Sequence, residues 1–577
     1  MLKRILAVSL ALNYSVAAQA ASPITLLSKQ CIDYQVSLSQ AQTSDSPQDA
    51  SVRLERELLG LFNLKDSVHF YRHYPLNAED KEALLQCQLH LADEFERLAK
   101  DPWLKTQSRQ WARSQVSDLR QLGRRLTQQI AEQIDQVQKA KIHTAQASIA
   151  HGLRQKDLSL IIGESRCRLD DEAKSDETKS NEAKSDETKS KKAKSKEPQA
   201  QAFDNSIASY LIHQPDETCK RQVWQAYQTR AKQKNQAAMS LILETKQAIA
   251  EEHDALDYAS WALSHQQLAS PEQVKQYLDS QTQIAPAPWR LGAVLADLAK
   301  VEVRPLSGRQ LLRDIQGELE PFGLQFETIN ADMLRLWHQG RLLGDIFLSQ
   351  AATHRGGKTQ LSPLRQSVVG QQFGQLTLTL PDELDDYRGQ EQLIIAAADM
   401  VSRLLAGGRY YLNNTLGDDQ AIASLWLSHY LSKRLLPQLP RDSREARLKA
   451  FASQLKVFRS KLALWAYQAP EHRLYRDLNQ EFALSFGEPW PEADDALFSF
   501  TGAVTQGPLY YLSLWHQSLA EQILSDTHLK DKAVFELLLI NEQQLSLDEQ
   551  LNLIFGCAQS VATIQERSQH VQLKPVH

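Results

Sequence analysis

His69 and His73 stand four residues apart in His-Phe-Tyr-Arg-His. On a helix this spacing turns two imidazoles to one side, as zinc requires of two of its ligands. No glutamate adjoins His69 to activate water, and Pro75 follows closely, so the two read as ordinary surface or half-buried histidines. Asp382, Glu383, Asp385 and Asp386 could pair carboxylates as acid and base. Their place at an expected strand-to-helix turn instead suits a helix N-terminus, where negative charge is favourable. The glycine-rich phosphate cradles and the G-x-S-x-G serine-nucleophile turn are absent from the sequence.

The five cysteines are Cys31, Cys87, Cys167, Cys219 and Cys557. No Cys-x-x-Cys occurs, which removes thioredoxin-like redox chemistry and thiolate zinc sites. In an oxidising compartment five thiols allow at most two bridges. Cys167 and Cys219 flank an unusual insert and are the most attractive pair, but spacing does not fix the connectivity, and isolated buried thiols stay open.

The chain has 577 residues, 42% hydrophobic and 23% charged, with a formal charge of −5. That is ample for a large core and describes a soluble globular protein of three or four domain-equivalents at ~150 residues each. The near balance of charge gives no reason to expect nucleic acid or an anionic membrane as partner. Lys3 and Arg4 precede an apolar run from Ile5 to Leu12, and Ala18-Gln19-Ala20 offers a cleavage site before Ala21. This is the layout of a secretory signal peptide over 1–20, and the run is too short to span a bilayer. The mature chain is expected in the periplasm or otherwise secreted, with no membrane span after cleavage.

Helix is expected to dominate. Leu119, Leu122, Leu126, Ile130, Ile134 and Val137 recur at three- and four-residue steps and predict one long helix. Similar stripes run through Glu79–Leu98, Arg221–Ala250 and Arg444–Tyr467. Ser270-Pro271-Glu272-Gln273 predicts a helix start, with Ser270 as cap, proline in the first turn and Gln273 reaching back. Leu342–Leu348 and Leu376–Leu380 are short and alternating or branched, and predict a small sheet near 342–380. From 170 to 200 the chain is low complexity, built of pieces such as Glu-Ala-Lys-Ser-Asp. Too little apolar area exists there to offset ordering entropy, so a disordered insert is expected between an N-terminal helical region (21–169) and a larger domain (201–577).

From Gln201 onward a series of fragments appears in a particular order. It includes Arg221-Gln222-Val223-Trp224-Gln225-Ala226-Tyr227, Asp257-Tyr258-Ala259 and Ala269-Ser270-Pro271-Glu272-Gln273-Val274. Pro321-Phe322-Gly323-Leu324, Gly344-Asp345-Ile346-Phe347-Leu348 and Gly507-Pro508-Leu509-Tyr510-Tyr511 follow. The series resembles the thimet oligopeptidase and oligopeptidase A family of zinc peptidases. The resemblance implies a mainly α, two-lobed body with a central channel for short peptides. It also implies zinc held by H-E-x-x-H and a glutamate on a later helix.

The motif itself is missing. The matching stretch is Gln390–Leu405, where Ala397, Ala398 and Val401 stand in the places of the first histidine, the base and the second histidine. No histidine occurs between His354 and His429, so neither zinc nor another cofactor is expected. The family's later His and Tyr positions fall at Phe500 or Thr501 and at Thr505 or Gln506, while its double tyrosine survives as Tyr510 and Tyr511. Those two are the candidate substrate-binding residues; helix packing beside Leu514 and Trp515 is the plainer account of them. The leading expectation is an exported, catalytically inactive oligopeptidase-like protein that binds short peptides or protein segments. The alternatives are a peptidase with an unconventional metal site using His338, His354 or His429, and a non-enzymatic scaffold.

Overall fold

A computed structural model describes residues 22–131, 136–154, 159–160, 167, 201–202, 207–350, 358–414 and 417–556. The signal-like segment 1–20, the charged insert 170–200, His354 and Cys557 lie outside the described residues. The described chain is mainly helical, with one small five-stranded sheet. Among the described residues no helix is long and apolar enough to cross a membrane.

Helix starts are set by caps. Ser46, Asn77 and Asp101 each accept the backbone N–H three residues ahead, satisfying a donor that the first turn leaves open. They open α2 (Pro47–Tyr71), α3 (Ala78–Lys100) and α4 (Pro102–Trp111), which follow α1 (Pro23–Ile32). With α5 (Ser117–Ala131) these helices bury Leu58, Leu61, Leu91, Trp111 and Leu122 in one core. A Cys31–Cys87 disulfide ties α1 to α3.

Of the expected stripe, Leu119, Leu122 and Leu126 are buried in α5, Ile134 lies outside the described residues, and Val137, in α6 (Gln136–Arg154), is 61% exposed. That helix turns Ala145 and Ile149 into a second core against α8. The stretch Arg221–Ala250 is likewise two helices, α7 (Glu217–Thr229) and α8 (Lys232–Glu252). Local bonds end α7: Thr229 Oγ1 donates to the Gln225 carbonyl and Arg230 to that of Tyr227. Then come α9 (Tyr258–Leu263), α10 (Pro271–Ser280) and α11 (Gly308–Leu319). The start of α10 is as expected, with Ser270 capping Gln273 N–H. Gln273 reaches back one residue further, to Ala269 N–H at 2.7 Å.

The sheet comprises β1 (Leu324–Asn330), β2 (Met333–His338), β3 (Arg341–Gln350), β4 (Gln360–Arg365) and β5 (Gly374–Leu380), in the order β1-β2-β3-β5-β4. Both expected strands are present, as β3 and β5. Positive φ at Gln339 (48°) and Gly340 (80°) makes the β2–β3 connection the tight mirror-image turn that suits twisted strands. β3 and β5 pair in parallel with Gly344 opposite Gly374. Along β5 the residues Leu376, Leu378 and Leu380 are buried, while Thr377 and Thr379 face outward.

Three long helices complete the second core: α12 (Tyr387–Leu405), α13 (Asp418–Leu435) and α14 (Arg444–Tyr467). They are followed by the short α15 (Thr501–Thr505), then α16 (Leu512–Asp526) and α17 (Leu547–Phe555). The two cores meet where the segment between α12 and α13 enters the first. Tyr411 stacks on Phe62 at 4.2 Å, and Tyr410 Oη lies 2.8 Å from Ser51 Oγ.

Candidate functional site

Helix α12 is positioned by the acidic turn before it. Asp386 accepts Gly389 N–H at 2.6 Å and caps the helix, the role expected of that cluster. Gln390, one turn in, donates to the carbonyls of Arg304 and Leu384. The helix buries one face against the sheet, so Ala397, Ala398 and Val401 have no exposed surface. The outward side carries Gln392, Ile395 and Asp399, the last paired with Arg403 at 3.0 Å. Hydrocarbon side chains sealed in a core have no lone pair to give a metal, so these positions do not fit zinc.

A cavity of about 710 Å³ opens elsewhere, between α6, α8, α9, the start of α13, the end of α14 and the α15–α16 corner. Its volume falls within the range of small-molecule sites. Asp418 is the first residue of α13, and its Oδ1 lies 3.0 Å from Nε2 of His516 on α16. His516 is 92% buried by the helices around it, being only 8% exposed. On the other side Lys246, from α8, donates to the hydroxyl of Tyr258 at 2.7 Å, and its ammonium lies 4.5 Å from that ring's centroid. Asp257 caps α9 and so fixes Tyr258, the first residue of that helix.

The remaining wall is largely apolar. Tyr467 packs on Tyr258 with ring centroids 5.5 Å apart and donates to the Ala503 carbonyl at 2.8 Å. Burial pushes its phenol well above the usual range, which keeps it a neutral donor. Gly507 adopts φ +57°, and a Cβ there would crowd the Tyr467 ring at 3.3 Å. Gln146 Nε2 donates to the Val504 carbonyl at 3.2 Å, and Gln506 stands exposed at the rim.

Thr505 and Gln506, two of the positions carried over from the family pattern, line this cavity. Tyr510 is half-buried with its ring edge-on to Phe500 at 4.7 Å. Tyr511 is 1% exposed, its hydroxyl has no hydrogen-bond partner, and burial, then the nearby Asp418, raises its pKa. Both tyrosines adjoin the cavity wall through Leu509 and Leu512, which do line it. Asp418, His516, Lys246 and Tyr258 went unrecognised in the sequence. They come from four helices, and no local spacing marks them.

The other candidates stay apart. His69 lies in the last turn of α2 and His73 just beyond it, with ring centroids 4.8 Å apart and His73 Nδ1 2.9 Å from the His69 carbonyl. His338 sits on β2 with Nε2 buried and unpartnered, and His429 sits on α13 in the same condition. Burial lowers the pKa of both. Among the described residues no group of three or more His, Cys, Asp or Glu side chains could hold a metal. Cys167 and Cys219 are joined, and Tyr210 Oη donates to the Cys167 carbonyl at 2.9 Å beside them.

No family model matches the chain, and no curated protein matches it. Among solved structures the chain is similar to that of Pyrococcus furiosus carboxypeptidase in the apo-Mg form, at 10% sequence identity and a TM-score of 0.45, over 92% of this chain and 99% of that one.

Proposed function

We propose that this protein is an exported, degenerate relative of the thimet oligopeptidases that binds short peptides in the cavity beside Asp418 and His516 without hydrolysing them. The observation that carries the reading is the cavity of about 710 Å³, whose apolar wall is interrupted by a few fixed polar groups. Such a surface suffices for binding, with apolar area giving affinity and polar groups giving orientation. Loss of hydrolysis is supported by Ala397, Ala398 and Val401, which offer neither ligands nor a base. Export is supported by the signal-like leader and by the Cys31–Cys87 and Cys167–Cys219 disulfides, a bond type that persists in oxidising compartments. Tyr510 and Tyr511 act here by holding Leu509 and Leu512 at the cavity wall.

Calorimetry of the purified protein with a mixture of tripeptides, run beside a hydrolysis assay with and without chelator, tests the reading. The expected result is heat of binding with the peptides recovered intact and no stoichiometric zinc by elemental analysis. One tightly held divalent ion per chain, with cleavage that stops when it is stripped, overturns it in favour of an unconventional metallopeptidase. Absence of heat leaves the scaffold reading.

A further inference from the structure

We propose that the cavity recognises the two charged ends of a short peptide, Asp418 taking the terminal ammonium and Lys246 the terminal carboxylate; this rests on the peptide-binding reading above. The cavity holds one carboxylate and one ammonium on different helices, and each is fixed by a neighbour. Asp418 is braced through Oδ1 by His516 at 3.0 Å. A carboxylate has about four acceptor directions, so a second donor can be seated on it. Lys246 is held over the face of Tyr258 and bonded to its hydroxyl, which fixes where its positive charge sits.

Ala421, Tyr467, Val504, Leu509 and Leu512 give the same cavity its apolar surface, beside the polar Thr505, Gln506 and Ser513. Apolar surroundings strengthen charge-assisted hydrogen bonds and offer the middle of a ligand a surface to pack on. The match is a zwitterion with an apolar centre. An internal stretch of a longer chain has neither end charge, so it forfeits both contacts and the cavity selects small peptides with free ends.

The test is calorimetry on the full-length protein with one mixture of apolar tripeptides in three forms: unmodified, N-acetylated and C-amidated. Each cap is expected to weaken binding by about tenfold or more, the cost of one charged hydrogen bond. Asp418→Asn should abolish the penalty of acetylation alone, and Lys246→Met that of amidation alone, with circular dichroism verifying that each variant is folded. Capped peptides that bind the unaltered protein as tightly as free ones overturn end recognition while leaving peptide binding standing. If no form binds, the peptide-binding reading falls and this inference with it.

Discussion

Glu55 Oε1 accepts the backbone N–H of Tyr411 at 2.6 Å, joining a helix of the first core to the segment between α12 and α13 across 356 residues of chain. The same tyrosine donates its hydroxyl to both carboxylate oxygens of Asp66, at 2.8 and 2.9 Å. The junction between the two cores is therefore held by acidic side chains. Glu55 is only 1% exposed, and its second oxygen has no hydrogen-bond partner.

Burial pushes Glu55 up to about 8, against the opposing effect of the Tyr411 N–H. A carboxyl raised on folding contributes stability that is fully present below its unfolded value, near 4.5, and is lost as pH rises towards about 8. The protein should therefore unfold at lower denaturant concentration in mildly alkaline than in mildly acidic buffer. Glu55→Gln keeps an acceptor for Tyr411 and should flatten that dependence. Equal midpoints for the unaltered protein on both sides of the window would contradict this account.

The Cys31–Cys87 bridge closes a stretch of 56 residues. In the chain-entropy treatment such a loop corresponds to about 4 kcal/mol. Replacing both cysteines by serine should lower the unfolding free energy of the first core by that order. A denaturant titration followed by the fluorescence of Trp103 and Trp111, both in this region, reads the change.

Two glycines should respond in opposite directions. A Cβ on Gly344 would lie 2.3 Å from the Gly374 carbonyl oxygen and 2.7 Å from Leu404 Cδ2, while one on Gly317 would meet nothing within 4 Å. Gly344→Ala is expected to cost about 1–3 kcal/mol through overpacking. Gly317→Ala, within α11, should be neutral or add up to about 1 kcal/mol. Thermal melts of the two variants against the unaltered chain decide it.

Lys461 is 1% exposed and bonds Glu481 at 2.6 Å and Asp279 at 3.2 Å. Lys461→Ala would leave Glu481 without its ammonium beside a fresh void, while Asp279 keeps Lys275 and Tyr475, a loss of about 3 kcal/mol. Lys461→Met, which keeps the volume, should cost less, because only the charge is withdrawn. Equal losses in the two variants would show that the charge alone, and not the volume, sets the cost.

The elements readable in the sequence were those with a strong local rhythm. Arg444–Tyr467 is a helix over those same residues, and Leu376–Leu380 is a strand whose alternate leucines are buried. Period alone did not show where a helix breaks. Arg230 and Ala231 lie inside an unbroken apolar pattern, and the break between them is made by side-chain bonds to carbonyls. The strand Met333–His338 also alternates, but its signal depends on the turn at Gln339 and Gly340, where a glutamine adopts positive φ.

The cavity was less readable than the fold. Asp418 and His516 are 98 positions apart and meet only because α13 and α16 pack together. Thr505 and Gln506 stand out in the sequence only by their distance from Tyr510 and Tyr511, and they line the cavity. Tyr510 and Tyr511 stand out by their types, and their rings pack around Phe500 and in the core. Residue type is legible in a sequence, whereas solvent contact is set by packing between distant helices.

The alanine face of α12 leaves no room for a metal site to be added one residue at a time. An imidazole placed at Ala397 or Val401, neither of which has exposed surface, would crowd the packed core around it before any ion could compensate the cost. Laboratory selection for peptide cleavage should therefore find its solutions on some other surface of the molecule.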